Sequence, residues 1–409
     1  MINKTNNTSK KQHILVISQY FYPENFRIND ICLEWIQRGY DVTVVTGIPN
    51  YPEGKIYPGY GFTKRRKEKW HGINIIRIPL IPRGNTKVGL ILNYLSFMIT
   101  GYFAGKILEI DTDYIFSFET SPMTQVITGI SFAKKLKVPH YLYVQDLWPE
   151  SVQAVTGINS SIIINPLNKM VDYIYRNSDE IFATSNSYVE AIINRETKVD
   201  RKKVHYWPQY AEDFYKPINS MNHPLIPNNN NFKIIFTGNI GEAQGLDILT
   251  KAAKILKNKD IDFIIVGDGR YKSKLIETIK EYEVEEKFIL ISRQKPEEIP
   301  SMLSACDVAF LSFNYNDLWK MCIPAKLQSY MACGMPILAS AEGETKKIID
   351  ESQCGIATPL GDEKKLSKAI VNMMNKDLTK FGERSYKYFL DNFEKKLLMD
   401  KIELFFNEL

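Results

Sequence analysis

The most informative segment of the sequence is CIPAKLQSYMACGMPIL, residues 322–338. Its pattern predicts a helix with Lys326 near its start, a turn at Gly334, and a short apolar strand from Pro336. The first amides of a helix have no partner within the helix, and they carry about half a positive charge. A lysine beside such a helix start therefore favours the binding of an anion such as a phosphate. An ordinary helix with a solvated lysine is the alternative interpretation.

Short apolar runs rich in β-branched residues recur along the chain, with helical segments between them. This alternation is typical of parallel β-α-β construction. A first group of strands is predicted at His13–Gln19, Asp41–Gly47, Ile73–Pro79, Tyr114–Phe118, His140–Asp146, Glu180–Ser185 and Lys203–Gln209. A second group is predicted at Phe232–Asn239, Asp262–Gly269, Lys287–Arg293, Val308–Phe313, Pro336–Ser340 and Gly355–Pro359. The predicted fold class is therefore α/β, with two Rossmann-like doubly wound domains.

A segment rich in Pro, Asn and Ser, residues 213–231, separates the two strand groups and is predicted to be a linker. The N-terminal domain would cover residues 13–212 and the C-terminal domain residues 232–385, facing each other across a cleft at the carboxyl ends of the strands. Residues 386–409 are predicted to form a C-terminal helix, for which a crossing back to the N-terminal domain is considered. Residues 1–12 lack the apolar core of a signal peptide and are predicted to be a disordered tail.

The composition is that of a soluble globular protein, with 44% hydrophobic and 24% charged residues in a chain of 409. The formal net charge of +5 is too small to indicate nucleic-acid binding. The five cysteines form no CxxC pair, and their odd number argues against a disulfide framework or a zinc site. These features predict a cytoplasmic protein.

Two loops that follow predicted strands in the second domain carry glycine. They read FTGNIGEAQGL at residues 236–246 and IVGDG at residues 265–269. A strand, a glycine turn and a helix start suit phosphate oxygens, so Gly238 and Gly267 are candidates for phosphate binding. The corresponding turn of the first domain, SQYFYPENFR at residues 18–27, has no glycine. Its composition argues against a dinucleotide-binding Gly-x-Gly-x-x-Gly motif.

Several segments resemble glycosyltransferase family 4. PAKLQSYMACGMP at residues 324–336 is similar to the family pattern PSKLxxYMAxGxP, which packs against the diphosphate of a nucleotide-sugar. VQDLWPES at 144–151 and TGIPNYPEG at 46–54 resemble one branch of the family. That branch includes transferases of N-acetylated deoxy-amino sugars of the N-acetylfucosamine type in bacterial O-antigen and capsule assembly. The likeness runs from His13 to about Asn392.

The resemblance implies the GT-B fold, in which two Rossmann-like domains face each other across a cleft. It also implies transfer with retention of configuration from a nucleotide-sugar, expected to be UDP-linked. The acceptor would be a saccharide or a polyprenyl-diphosphate-linked saccharide. No nucleic acid is expected among the partners.

The resemblance places the donor in the C-terminal domain. Lys326 and Arg293 would there stabilise the charge that builds on the departing diphosphate. The family commonly has an arginine and a lysine in the first loop of this domain, where this sequence has Asn239 and Gln244. Either the positive charge comes from Lys326 and Arg293, or backbone amides hold the donor.

A second departure concerns two family glutamates spaced eight residues apart, of which the second binds the nucleotide ribose. Met321 and Ser329 occupy these places here, so Ser329 or Gln328 is expected to contact the ribose. Glu344 and Arg27 complete the donor-side candidates. Arg27 would supply positive charge where the family often has a Gly-Gly pair, and a surface salt bridge is the alternative interpretation.

Asp146 and Glu119 are the acidic candidates, because each follows a predicted strand. They are expected to orient the acceptor; no general base is required, since the leaving phosphate can itself take the acceptor proton. The alternatives are a helix N-cap for Asp146 and a solvent-facing loop acid for Glu119. Asn50, Tyr51 and Trp148 belong to the two branch-like segments and are predicted to bind the acceptor.

Two Asp-x-Asp strings, Asp111-Thr112-Asp113 and Asp260-Ile261-Asp262, match a metal-binding pattern of single-domain glycosyltransferases. Both precede predicted strands, at the sheet edge opposite the expected ligand site, so they are predicted to be turn residues. The five histidines show no paired spacing. Transfer is therefore predicted to need no metal and no cofactor. Two other functions stay open: a sugar-nucleotide 2-epimerase of the same architecture, and a non-catalytic partner in a polysaccharide-assembly complex.

Val88–Gly105 is a run of eighteen residues without a charge, near the lower limit for a membrane span. Its polar residues and its position between two strands favour a buried or interfacial helix. Basic clusters at residues 64–70 and 134–137 could rest on an anionic leaflet, and a solvated surface is the alternative. Peripheral contact with the cytoplasmic face of the inner membrane is therefore an open option.

Overall fold

The computed structural model describes residues 11–197, 199–219 and 222–407. Most of the predicted tail, residues 1–10, lies outside the described residues. The chain divides into two compact units. The first unit runs to Ala183 and also contains Val189–Tyr206, whereas the second contains Thr184–Tyr188 and the chain from Trp207 onward. The segment predicted as a linker and the C-terminal helical segment are both grouped with the second unit.

The first unit is built on one sheet with helices packed against it. Its strands are β1 (His13–Ile17), β2 (Asp41–Gly47), β3 (Lys67–Trp70), β4 (Ile73–Ile78), β5 (Tyr114–Glu119), β6 (His140–Val144), β7 (Glu180–Ala183) and β8 (Val204–Tyr206). Its helices are α1 (Arg27–Gln37), α2 (Lys87–Ile107), α3 (Val126–Leu136), α4 (Glu150–Thr156), α5 (Ser161–Arg176) and α6 (Asn186–Ile193), the last of which begins in the second unit.

The strands of this sheet follow the order β3-β4-β2-β1-β5-β6-β7-β8. The β3–β4 pair is antiparallel, and the other pairs are parallel. Ile14–Ile17 of β1 are fully buried, as expected for a central strand covered on both faces. Helix α1 buries Ile28, Ile31, Cys32 and Trp35, which recur at helical spacing along one face.

Helix α2 packs closely on α3 through small residues. A Cβ added at Gly101 would lie 1.9 Å from Oγ1 of Thr128, and one added at Gly105 would lie 2.7 Å from Cβ of Ser131. Both glycines are therefore needed for the approach of the two helices. Phe97 lies on the same face of α2 and joins the core.

The second unit has a six-stranded sheet. Its strands are β9 (Phe232–Asn239), β10 (Ile261–Asp268), β11 (Phe288–Ile291), β12 (Val308–Ser312), β13 (Ile337–Ser340) and β14 (Gly355–Thr358). Its helices are α7 (Asp247–Ile255), α8 (Lys272–Glu281), α9 (Ile299–Ser304), α10 (Asp317–Met321), α11 (Ala325–Ala332), α12 (Gly343–Ser352), α13 (Glu363–Met374), α14 (Thr379–Asn392) and α15 (Lys395–Asn407).

This second sheet is parallel, in the order β11-β10-β9-β12-β13-β14. The order is that of a dinucleotide-binding fold, and it reverses direction between β9 and β12. In the first unit the same reversal falls between β1 and β5. Ligands of such sheets bind outside the carboxyl ends of the strands at these reversal points. A ligand-binding site is therefore expected at the loops after β1 and β5 in the first unit and after β9 and β12 in the second.

All strands predicted from the sequence are present, with bounds that shift by a few residues. The prediction of a doubly wound α/β fold in two units is confirmed. Strand β3 is absent from the prediction; it lies within the basic cluster at residues 64–70 and forms one edge of the first sheet.

Candidate active site

The second unit brings two glycine loops together at the reversal point of its sheet. Gly238 is the penultimate residue of β9, with φ +124°, and Gly267 is the penultimate residue of β10, with φ +151°. A Cβ added at Gly267 would lie 1.9 Å from the carbonyl oxygen of Gly238. A Cβ added at Gly238 would lie 2.8 Å from Cε of Lys326. The absence of side chains at both positions is what allows the two strand ends and the lysine to meet.

Lys326 lies at the start of α11, and its side chain reaches this loop. Its Nζ donates a hydrogen bond to Oε1 of Gln244 at 3.0 Å and lies 5.1 Å from the ring centre of Phe236. No carboxylate of the described residues forms an ion pair with it. Burial lowers the pKa of Lys326 to about 8, because the low-dielectric surroundings disfavour the charged amine. The amide oxygen of Gln244 carries no charge, so the positive charge of the Lys326 ammonium stays available to an anionic ligand.

The start of α11 adds backbone donors beside this lysine. Pro324 precedes the helix in an extended conformation, and its side chain provides no capping hydrogen bond. The positive end of the helix dipole and the Lys326 ammonium therefore act in the same place. On the other side of the reversal point, the backbone N–H of Asn314 donates to the carbonyl of Ala243 at 2.9 Å, which ties the loop after β12 to the loop after β9.

The other donor-side candidates lie in different surroundings. Asn239 is exposed at the end of β9. Arg293 is exposed after β11, two strands away from β9 in the sheet. Gln328 is buried, and among the described residues its Oε1 has no hydrogen-bond partner. Ser329 donates its hydroxyl hydrogen to the carbonyl of Ala325 at 3.1 Å.

Glu344 lies in the first turn of α12 and is already engaged. Its Oε1 accepts hydrogen bonds from the backbone N–H of Ser187 at 2.7 Å and from the Ser187 hydroxyl at 2.6 Å. Both residues belong to the second unit. The carboxylate thus fixes the short stretch 184–188 to α12.

In the first unit, Glu119 and Asp146 are neighbours at the carboxyl ends of β5 and β6. Oε2 of Glu119 accepts from the backbone N–H of Asp146 at 3.3 Å, and Oδ2 of Asp146 accepts from the backbone N–H of Ser121 at 2.7 Å. Burial, and then the nearby charge of Asp146, raise the pKa of Glu119 well above its usual range. Asp146 does not cap α4, whose N-cap is Pro149. Glu119 is fully buried and is not a solvent-facing acid.

The acceptor candidates fall into two classes. Asn50 and Trp148 are buried: Oδ1 of Asn50 accepts from the backbone N–H of Arg83 at 3.0 Å, and Nε1 of Trp148 donates to Oγ of Ser121 at 3.1 Å. Tyr51 is 36% exposed and could reach a ligand. Tyr51 can therefore contact an acceptor directly, whereas Asn50 and Trp148 hold their loops in place through the hydrogen bonds given above.

Tyr51 belongs to an aromatic group at the carboxyl edge of the first sheet. Its ring centre lies 5.4 Å from that of Tyr20 and 5.2 Å from that of Phe26, and the last two rings stack at 5.1 Å. The guanidinium of Arg83 lies 5.2 Å from the Tyr51 ring centre. Arg27, the first residue of α1, follows Phe26 directly and is half-buried.

Glu24 is a buried acid that the sequence analysis did not select. Its Oε1 accepts hydrogen bonds from the backbone N–H groups of Asn50 and Tyr51, both at 2.7 Å. Burial raises the pKa of Glu24 to about 7 in spite of these bonds. Its position after a predicted strand is the same signal that singled out Glu119 and Asp146.

The Asp-x-Asp strings lie at the amino ends of strands. Oδ2 of Asp113 accepts from the backbone N–H of His13 at 2.7 Å, and the carboxylate of Asp262 accepts from Nδ2 of Asn229 and Asn231. Asp262 is the second residue of β10, so that string overlaps the strand start. Within the described ranges, no group of three His, Cys, Asp or Glu side chains could hold a metal ion.

Comparisons with known proteins agree with this arrangement. Residues 220–388 match the family "Glycosyl transferases group 1". The chain is 26% identical over 291 residues to the probable glycosyltransferase WbjE of Pseudomonas aeruginosa, covering 69% of this chain and 71% of that protein. It is 22% identical over 333 residues to WcaI of Escherichia coli strain K12, a putative colanic acid biosynthesis glycosyl transferase, covering 77% and 79%.

Solved structures share the fold at low sequence identity. The sucrose-phosphate synthase of Thermosynechococcus elongatus has a TM-score of 0.76 at 15% identity, covering 97% of this chain and 99% of that one. Anabaena HepE, solved in complex with UDP, has a TM-score of 0.65 at 14% identity, covering 98% and 100%. The chain thus has the GT-B fold, and its residues 220–388 are similar to the group 1 glycosyltransferases.

Proposed function

We propose that this protein is a retaining glycosyltransferase that moves a sugar from a UDP-sugar to a saccharide or lipid-linked saccharide in surface polysaccharide synthesis. The donor sugar is proposed to be an N-acetylated amino sugar of the N-acetylfucosamine type, from the branch-like segments of the sequence. The observation that carries the proposal is the Lys326 ammonium, which meets the first glycine loop at Gly238 and Gln244 without a carboxylate partner among the described residues. Support comes from the group 1 family match and from the UDP bound to HepE.

The proposed mechanism assigns the departing diphosphate to the second unit. Negative charge builds on the phosphate oxygens as the bond to the sugar breaks. Lys326, and the amides of the glycine loops and of the α11 start, would stabilise that charge from fixed positions. Attack by the acceptor hydroxyl on the same face of the sugar gives retention, and the leaving phosphate takes the hydroxyl proton. Arg293 is exposed after β11. Its part in the mechanism would require a movement of that loop toward β9.

The first unit is proposed to hold the acceptor. Tyr51 and Phe26 offer aromatic faces on which a sugar ring can stack, the buried Tyr20 packs against both, and Arg83 lies beside Tyr51. Glu119 and Asp146 are proposed as positioning residues, because both carboxylates are engaged with the backbone of neighbouring loops. Their contribution would be to hold the loops after β5 and β6 in the shape that binds the acceptor.

The first experiment is a transfer assay with a panel of UDP-N-acetylamino sugars and a lipid-linked acceptor, run in the presence of EDTA. We expect a product with a retained anomeric configuration, and UDP as the second product.

Metal independence is proposed because both Asp-x-Asp strings are used in hydrogen bonds at the amino ends of strands. Conversion of the UDP-sugar without acceptor would instead indicate a 2-epimerase. UDP-sugar binding without turnover on any acceptor would indicate a non-catalytic partner, and loss of all turnover in EDTA would exclude metal independence.

The pKa of Lys326 gives a pH-dependent signature of donor binding. The free protein loses the Lys326 proton as pH rises through about 8, whereas a bound diphosphate favours the charged amine. Binding above that pH must therefore take up a proton. We expect the affinity for UDP to be full near pH 7 and to fall by up to about tenfold for each unit above pH 8. Calorimetric titration between pH 7 and pH 9 measures this dependence.

The matched control for this pH dependence is Lys326→Ala. Its affinity for UDP should be lower at pH 7 and should change little up to pH 9. An equal decline in both proteins would assign the pH dependence to another group.

A further inference from the structure

Helix α2 carries an apolar face that the first unit leaves uncovered. Val88, Ile91, Leu95, Ile99, Phe103 and Ile107 form what we call the apolar face of α2. Their exposed fractions range from 40% for Leu95 to 71% for Ile107. At 100° per residue these six positions lie on one side of the helix. Single exposed apolar residues are normal on a soluble protein, whereas these six residues form one continuous apolar patch along the helix.

The opposite side of α2 is fixed to the first unit. Asn93, Phe97, Gly101 and Gly105 are buried at intervals of four residues. Oδ1 of Asn93 accepts from Nε2 of Gln19 at 2.7 Å, and its Nδ2 donates to the carbonyl of Ile81. The apolar face therefore points directly away from the core, along the full length of the helix.

Length and composition alone would also permit α2 to cross a membrane; it is the one helix of the described residues that passes this test. Crossing would remove Asn93 from Gln19 and separate Gly101 from Thr128, leaving buried polar groups without partners. A helix with one side packed on a folded domain and the other side apolar suits a position parallel to the bilayer surface.

Basic residues accompany this face. Residues 62–110 contain nine Lys or Arg residues and two Glu residues; of these, Arg77 is buried and pairs with Glu68. Arg66 and Lys67 line a cavity of about 360 Å³ together with Phe103 and Ile107. At the carboxyl end of α2, Nζ of Lys135 donates to the carbonyl of Leu108 at 3.0 Å. Apolar side chains flanked by bases are complementary to an anionic lipid surface, where acyl chains lie beneath negative head groups.

We infer that the apolar face of α2 lies in the plane of an anionic lipid bilayer, with its side chains inserted among the acyl chains and the surrounding bases on the head groups. The contact would bring the first unit to a lipid-linked acceptor. Only that role in transfer rests on the proposed function, since the surface contact stands on α2 and its charges.

The test is flotation of the full-length protein with vesicles of phosphatidylcholine, with and without phosphatidylglycerol. We expect at least about tenfold stronger partitioning onto the anionic vesicles at low salt. Binding should weaken in 1 M salt, where the Debye length falls to about 3 Å. Failure to float with either vesicle, or equal binding to both, would overturn the inference.

The variant Ile91→Gln/Leu95→Gln/Ile99→Gln is expected to lower the partitioning at least about tenfold. The matched control Ile255→Gln/Leu404→Gln changes exposed apolar residues of the second unit and should float as the unchanged protein does. Both variants should bind UDP and melt as the unchanged protein does. Flotation of the α2 variant at full strength would contradict the inference.

Two further outcomes would replace the bilayer by another occupant. A dimer that the α2 variant dissociates, in a protein that does not float, would assign the face to a second copy of this chain. Retention of the protein in membranes after alkaline extraction would assign α2 to a membrane span. Vesicle binding is measured without any sugar, so a failed transfer assay and a failed flotation assay remain distinguishable.

Discussion

Lys326→Ala is expected to keep the fold and to lower the rate of sugar transfer at least about a hundredfold. The loss of one preorganised donor to a developing negative charge commonly costs about 3 kcal/mol in activation free energy. The Lys326 ammonium meets the first glycine loop at Gly238 and Gln244. Without it, the side chain of Gln244 offers only a neutral amide donor there. Single-turnover rates with a UDP-sugar, together with the melting temperature, measure the effect.

Lys387→Ala is the control, because Lys387 is 75% exposed and pairs with Asp391 on α14. It should transfer sugar at the normal rate. Near-normal turnover in Lys326→Ala would remove this lysine from the mechanism.

A charge exchange tests the position of the cation separately from the identity of the residue. Nζ of Lys326 and Oε1 of Gln244 are 3.0 Å apart, so Lys326→Gln/Gln244→Lys places an ammonium in nearly the same location. We expect the double variant to recover at least about tenfold over Lys326→Gln alone. If the double variant does not recover activity, transfer requires the lysine at position 326 itself and not only an ammonium at this location.

Gly267→Ala is expected to reduce the free energy of unfolding by roughly 3 kcal/mol or more. The new Cβ would lie 1.9 Å from the carbonyl oxygen of Gly238, which is backbone and cannot move aside as a side chain can. The φ of +151° adds strain for any residue with a Cβ. Strands β9 and β10 would have to separate at their carboxyl ends, so UDP binding should weaken as well.

Chemical denaturation measures the loss, and Gly361→Ala separates its two causes. Gly361 has φ +69°, and a Cβ there would meet no atom within 4 Å. The control therefore carries backbone strain without a clash and should cost only about 1 kcal/mol. Equal losses in the two variants would show that the close contact with Gly238 has no energetic weight.

The strands of both sheets were predictable because each is a short apolar run between polar turns. Buried parallel strands such as β1 and β12 leave this pattern in the sequence. Strand β3 left a weaker one, because Lys67–Trp70 lies at the sheet edge and is largely charged. The sequence nevertheless contains a turn signal, the dipeptide His71-Gly72. In the structure these residues have φ of 45° and 91° and form the two-residue turn of the β3–β4 hairpin.

The candidate site was predictable where it follows from the order of strand, turn and helix. Gly238, Gly267 and Lys326 each occupy such a place, and the structure brings them together. The partner of Lys326 was not predictable, because Gln244 lies 82 residues away and their approach depends on packing. Tertiary contacts likewise determine that Asn50 and Trp148 are buried whereas Tyr51 is exposed.

The division of the chain limits how the protein can be taken apart. Because the short stretch 184–188 belongs to the second unit, the polypeptide passes from one unit to the other after residues 183, 188 and 206. No single cleavage can release either unit as an intact piece. A fragment that ends at residue 206 would keep Ser187 but lose Glu344, the acid that holds it. Independent expression of the halves therefore requires a rejoined chain, in which residues 184–188 are grafted back onto the second half.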